Sequence, residues 1–193
     1  MLPALLMVRL RGGRVVRVGS GARSFARLPR LLMRPSIALS QLVIWRDRAT
    51  ADFLGGETMP DFGFVAGAPL ARAERNLLVV SLRGDRAMPD ATWIAGVRLF
   101  AEEHALEIVV VTQVGRDSER TRQVASALDA RTLDWDGVGH REQEAALRAT
   151  YNSARAVVSD RLHVLIAAAT EGAFPVGLLT TASGKIDRHF SAA

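Results

Sequence analysis

Among its 193 residues the chain has no cysteine. Disulfides, thiolate nucleophiles and thiolate metal sites are thereby excluded, and a reducing cytoplasm is permitted. Lysine is almost as scarce: Lys185 is the only one, so nearly all of the 25 basic side chains are arginine. Aromatic residues amount to 6%, too few to interleave with a basic stripe. The positive charges are read as scattered among acids such as Asp85, Glu102, Asp117 and Glu119. Both points argue against a nucleic-acid partner. Long apolar runs are missing too. Met1 to Leu10 is apolar but short and is interrupted by Arg9, unlike a signal peptide, and no stretch approaches the ~20 apolar residues of a membrane span. No integral membrane segment is expected. The expected location is the cytoplasm, with peripheral attachment at the inner membrane face also compatible.

What is present describes a folded α/β protein. Apolar residues make up 49% and charged residues 23%, a globular composition with enough apolar side chains for a core. The formal charge is +5, carried by arginine, whose planar fork suits bidentate contacts to phosphate and carboxylate. An anionic small ligand is therefore favoured over a neutral one.

The second half alternates strand and helix. Leu77 to Leu82 is a short apolar run fit for a strand buried on both faces. Asp90 can cap a helix to about His104, with Trp93, Ile94, Val97 and Phe100 on its inner face. Glu107 to Thr112 is β-branched and strand-like, and Asp117 can open a helix through Ala127. His140 to Tyr151 reads as helix, with Ala146, Leu147 and Tyr151 inward. Ala156 to Val158 is a strand, followed by an apolar helix from Arg161 to Thr170. Gly172 ends that helix, and Pro175 to Leu179 supplies a further strand. Such alternation implies a parallel sheet with helices on both faces.

The first third is less regular. Val15 to Val18 and Leu42 to Trp45 are candidate strands, and a helix from Asp47 to Leu54 ends at Gly55-Gly56. These strands are too few for a sheet of their own. A domain boundary is placed near Gly67 to Arg75, giving residues 1–70 as the remnant of an N-terminal domain and 71–193 as a C-terminal domain.

Ligands of open parallel sheets bind beyond the carboxyl ends of the strands. Those ends carry Arg83 and Arg86, then Gln113 and Arg116, then Ser159, Asp160, Arg161 and His163, then Thr180, Thr181 and Lys185. Each offers a basic side chain, and helix N-termini beside them favour anions. In Ser159-Asp160-Arg161-Leu162-His163, either Ser159 or Asp160 can cap the helix, leaving Arg161 and His163 in its first turn. Residues two apart do not share a helix face, so spacing alone also fits Asp160 paired with an arginine and a packed His163. No histidine–carboxylate grouping has metal-ligand spacing, and no metal is expected. His104 and His140 read as surface residues, His189 as frayed or domain-bridging, and the Trp135 segment as a packed loop.

Three stretches in order resemble the polysaccharide pyruvyl transferase family. Ser159-Asp160-Arg161-Leu162-His163, with Gly172, Pro175 and Lys185 behind it, resembles the family's Arg-Leu-His region. Trp45-Arg46-Asp47-Arg48-Ala49-Thr50, with Pro60-Asp61 following, is similar to its Arg-Asp-x-x-Ser/Thr helix and Pro-Asp segment. Val80-Ser81-Leu82-Arg83 is similar to the strand that opens its C-terminal domain. The resemblance covers roughly residues 14–190 and implies a Rossmann-like, two-domain GT-B-like architecture. Of this the chain would hold the C-terminal half and the tail of the N-terminal one, so it is expected to be an N-terminally truncated member. Gly19-Ser20-Gly21-Ala22 looks like a weakened glycine turn of that first half.

The resemblance further implies transfer of a pyruvyl group from phosphoenolpyruvate to a sugar, making a ketal in polysaccharide biosynthesis without a cofactor. It makes Arg161 a clamp for phosphate or carboxylate and His163 the acid–base group. Arg83, Arg46, Ser159 and Lys185 are secondary substrate-binding candidates; a structural ion pair suits Arg46 equally well, and a solvated position suits Lys185 better. The acceptor is expected to be a saccharide or lipid-linked saccharide. Two rival readings stand beside this one: a nucleotide-sugar glycosyltransferase-like enzyme of the same architecture, and a non-catalytic remnant. Oligomeric state is not legible.

Overall fold

In a computed structural model the described residues are 2–65, 74–178 and 184–192. The chain divides into two compact units, residues 1–62 with 184–193 and residues 63–183.

The second unit is a five-stranded sheet with all pairings parallel. Its strands are β4 (Leu77–Ser81), β5 (Glu107–Val111), β6 (Arg131–Leu133), β7 (Ala154–Ser159) and β8 (Phe174–Gly177), in the order β6-β5-β4-β7-β8. Its helices are α4 (Ala91–Glu103), α5 (Ser118–Leu128), α6 (His140–Asn152) and α7 (Leu162–Thr170). The helices cover both faces, and the period of two along the strands shows how. Leu77 and Val79 pack with Leu147 and Tyr151 of α6 and with Val164 and Ala168 of α7. Leu78 and Val80, from the same strand, pack with Val97 of α4 and Val124 and Leu128 of α5. A central strand covered on both sides reads as a near-continuous apolar run, here Leu77 to Val80 before Ser81, and all five residues of β4 are buried.

Local signals fix the helix ends. The Asp90 carboxylate accepts from Trp93 N–H and starts α4. Gly172, at φ +82° in the turn after α7, is where a methyl group would sit 2.6 Å from the Arg75 guanidinium. That guanidinium in turn donates to the carbonyls of Ala154 and Glu171.

Several expectations are corrected. Phe100 is 40% exposed and its ring lies tilted against His104 with centroids 4.5 Å apart; Ala101 takes its inward place. The helix after β7 begins at Leu162, with Arg161 as an extended N-cap residue, and neither Ser159 nor Asp160 caps it with a side chain. Asp117 precedes α5 without capping it, because its carboxylate is used elsewhere. Strand β6 has only three residues and no apolar run, so periodicity did not mark it. The expected Leu179 end of β8, with Thr180 and Thr181, lies outside the described residues, as does most of the expected boundary near Gly67 to Arg75.

The first unit contains α1 (Leu2–Leu10), β1 (Val16–Ser20), α2 (Arg27–Ala38), β2 (Leu42–Trp45), α3 (Arg48–Leu54), β3 (Glu57–Thr58) and α8 (Lys185–Phe190). Contrary to expectation it has a sheet of its own, parallel β1-β2-β3; β3 is a two-residue pairing too short to read from sequence. Helix α2 went unread because Pro29 and Pro35 interrupt its pattern. Pro29 lies in the first turn, where no N–H bond is lost, and Pro35 lies in the last. His189 is 2% exposed, so it is buried rather than frayed.

Candidate active site

In the sheet order of the second unit, chain progression runs outward from β4 through β5 to β6 on one side and through β7 to β8 on the other. The point between β4 and β7 is therefore the topological switch point, where helices leave toward opposite faces and a crevice opens at the carboxyl ends. Ser81 and Ser159 are paired in register there.

The Ser159-Asp160-Arg161 segment is tied to this point by long-range bonds. The buried Ser159 hydroxyl donates to the Ser81 carbonyl at 2.6 Å and accepts from Arg161 N–H at 3.0 Å. An Asp160 carboxylate oxygen accepts from Arg83 N–H at 3.0 Å. Asp117, 3% exposed, accepts from Gly84 N–H at 2.9 Å with one oxygen and pairs with the Arg161 guanidinium through the other. Arg161 is thus drawn along the strand ends toward β5. Its Nε is buried with no hydrogen-bond partner among the described residues. Burial raises the Asp160 carboxyl above its ordinary value, against the opposing Arg83 N–H bond and the nearby arginines.

The remaining predicted residues are placed as follows. Arg83 contributes its backbone to the cluster, while its side chain forms a fork with Asp85. That hydrogen bond lowers the exposed Asp85 carboxyl to about 2. His163 is exposed on the first turn of α7 and lines a recess of about 320 Å³ with Gln113, Trp135, His140, Gln143 and Tyr151. Arg161 is not part of that lining. The structure therefore brings Ser159, Asp160, Arg161 and the Arg83 backbone together, and sets His163 on the recess wall.

The recess is partly rigid. Gln143 donates to the Thr112 carbonyl at 2.8 Å, and the Trp135 indole donates to the Val138 carbonyl at 2.8 Å. The His140 ring stands edge-on to Trp135 with centroids 4.7 Å apart. The Tyr151 hydroxyl is buried without a hydrogen-bond partner among the described residues, and burial holds the phenol above its ordinary pKa.

In the first unit, Arg46 pairs with Asp61 at 2.9 Å. Asp47, 1% exposed, caps α3 through Thr50 N–H at 2.9 Å and also accepts from the Thr50 hydroxyl at 2.7 Å. The Thr50 oxygen accepts from Ala22 N–H at 2.9 Å. A methyl group at Gly21 would lie 2.9 Å from the Asp47 carboxylate. The glycine turn and the Arg-Asp-x-x-Thr segment are therefore one local structure. Lys185 opens α8; its side chain lies outside the described residues.

Sequence reasoning missed Asp117, read only as a helix start, and the recess residues Gln143, Trp135, His140 and Tyr151. One usable signal was present: an acid beyond β5, in the same sheet as the arginine that follows β7. Among the described residues no three histidines or acids lie where they could share a metal ion.

A doubly wound parallel sheet with polar side chains gathered at its switch point defines a Rossmann-like α/β protein. The fold is similar to that of a crystal structure from Listeria monocytogenes assigned as a UDP-N-acetylglucosamine 2-epimerase, with TM-score 0.53 and 13% identity. That likeness covers 95% of this chain and 54% of the other, so the chain spans about half the length of this structural relative. No curated protein matches the chain. The family model for polysaccharide pyruvyl transferase matches residues 1–173, and the chain belongs to that family.

Proposed function

We propose that the protein takes part in transfer of a pyruvyl group from phosphoenolpyruvate to a saccharide or lipid-linked saccharide, with the donor held by the second unit. The observation that carries this reading is Arg161, a cation with an unpartnered Nε at the switch point of a sheet belonging to this family. A donor with a phosphate and a carboxylate needs such a group, and a guanidinium braced by Asp117 meets it with little loss of side-chain freedom. The Arg83 backbone and Ser159 hold the segment in place. In this reading residues 71–183 form the donor half, residues 184–193, expected with it from the sequence, belong to the first unit, and Arg46 and Lys185 are ancillary. The expected location is the cytoplasm, with peripheral attachment at the inner membrane face also compatible.

The chemistry is an addition followed by a substitution at the phosphate-bearing carbon of the enol phosphate. A proton is added to the methylene carbon, and an acceptor hydroxyl bonds to the resulting cationic carbon. The carbon–oxygen bond to phosphate breaks, and a neighbouring hydroxyl closes the ketal. Of the two hydroxyl protons released, one is balanced by the new methyl group and the other by the departing phosphate. His163 is assigned the proton transfers because an imidazole can both give and accept a proton and this one lines the recess.

Calorimetric titration with phosphoenolpyruvate tests the donor site, with uridine diphosphate as the competing arm. Binding of phosphoenolpyruvate is expected, weakened about 10- to 100-fold in Arg161→Ala by loss of a charged hydrogen bond. His163→Ala is expected to retain binding but to lose acceptor-dependent phosphate release. Preference for uridine diphosphate would replace this reading with glycosyl transfer.

A further inference from the structure

The charge of this protein is scattered only from Asp47 onward. The first 46 residues hold nine arginines and no aspartate or glutamate, whereas the whole chain carries +5. Such asymmetry marks a surface for a polyanion. In the first unit it coincides with exposed apolar helices. Helix α2 buries none of its residues completely. Pro29, Met33, Ser36 and Ile37 are its half-buried side, and Leu28, Leu31 and Leu32 are 65%, 61% and 71% exposed. At 100° per residue these leucines form one outward stripe, and Arg27, Arg30 and Arg34, all exposed, form the flank beside it. Helix α1 packs against α2 and exposes Leu6, Met7 and Leu10 by 47%, 51% and 79%.

An apolar stripe bordered by arginine, with no acid, has the pattern of a helix lying in a bilayer interface. Guanidinium groups pair with phosphate in a fork, and leucines enter the acyl boundary. No described helix is long and apolar enough to cross a membrane. A nucleic acid would match the arginines but leave the leucines in water; a second copy would bring like charge against like charge. We propose that the outward face of α1 and α2 docks this protein on an anionic phospholipid surface. This rests on the first unit alone and is independent of the transfer reaction.

Flotation of the full chain with vesicles tests it. Vesicles of three parts phosphatidylcholine to one part phosphatidylglycerol are expected to carry the protein up, phosphatidylcholine alone to leave it below, and added salt to release it. Arg27→Glu with Arg34→Glu should weaken partitioning at least about 30-fold while circular dichroism and the thermal melt stay unchanged. If that variant fails to fold, the salt titration and Leu28→Ser measure the two contributions separately. Equal binding to both vesicle types, or an unaffected double arginine variant, overturns the proposal. So does self-association abolished by Leu28→Ser without vesicle binding, which makes the face a dimer contact, or a preference for single-stranded RNA over the vesicles.

Discussion

Three buried or half-buried carboxylates at strand ends do different work in the two units. In the first unit Asp47 turns to its own helix, bonding both the N–H and the hydroxyl of Thr50, three residues on. In the second, Asp117 joins Gly84 to Arg161, which lie 33 and 44 residues away in opposite directions. Asp160 reaches Arg83 across 77 residues. The packing differs in the same sense: β4 is buried throughout, while neither α1 nor α2 has a buried residue. The first unit shows how far local rules carry a chain, and the second shows long-range contacts organising a site. A cap can form as soon as its helix does; the Asp117 bridge exists only once three strand ends are side by side.

The largest effect is expected at that bridge. Asp117→Ala strands the Arg161 guanidinium, whose side chain is 13% exposed, and also orphans Gly84 N–H. Breaking a buried pair from one side costs about 3 kcal/mol, readable as a drop in the urea midpoint. Arg161→Ala combined with it should cost less than the sum of the two single changes. Additivity would show that the pair is not coupled.

A smaller loss is expected for Asp47→Ala. The cap of α3 is removed, along with a carboxylate 3.6 Å from Arg188, for about 1–2 kcal/mol. A loss as large as that of Asp117→Ala would erase the contrast between local and long-range carboxylates.

The third prediction is smaller and of opposite sign. Burial raises the folded Asp160 carboxyl above its unfolded value of 3.8. Between those two values the folded state binds more protons than the unfolded one, so stability falls as pH rises through that window. Asp160→Asn keeps an oxygen for Arg83 N–H and removes the titration. Its melting temperature should slightly exceed the parent's at pH 7, and the difference should vanish as pH falls below 3.8. A variant less stable than the parent at neutral pH would mean that attraction to Arg161 and Arg83 outweighs desolvation.

Much of the fold was legible. Leu42–Trp45 is a strand with the bounds its sequence suggests, and Asp90 caps as its position implies, while Asp47, expected as the first residue of its helix, is the N-cap instead. These are outcomes of periodicity and of side chains bonding backbone within one turn. Elements with neither signal stayed hidden: β6 is short and polar, and two prolines masked α2. The site was legible in residue type and order but not in geometry. The sequence pattern puts Arg161 and His163 in one turn of helix. Because Arg161 is extended, its side chain runs to Asp117, while His163 on the first turn meets the recess.

The alternation of strand and helix, the parallel sheet and the arginine at a strand end were all determined by sequence, because they follow from hydrophobic period, capping chemistry and chain connectivity. Only the tertiary structure decided which carboxylate braces Arg161, what surrounds His163, and which leucines of α2 remain in contact with water. Those outcomes depend on residues tens of positions apart arriving at the same place, and no local pattern encodes that distance.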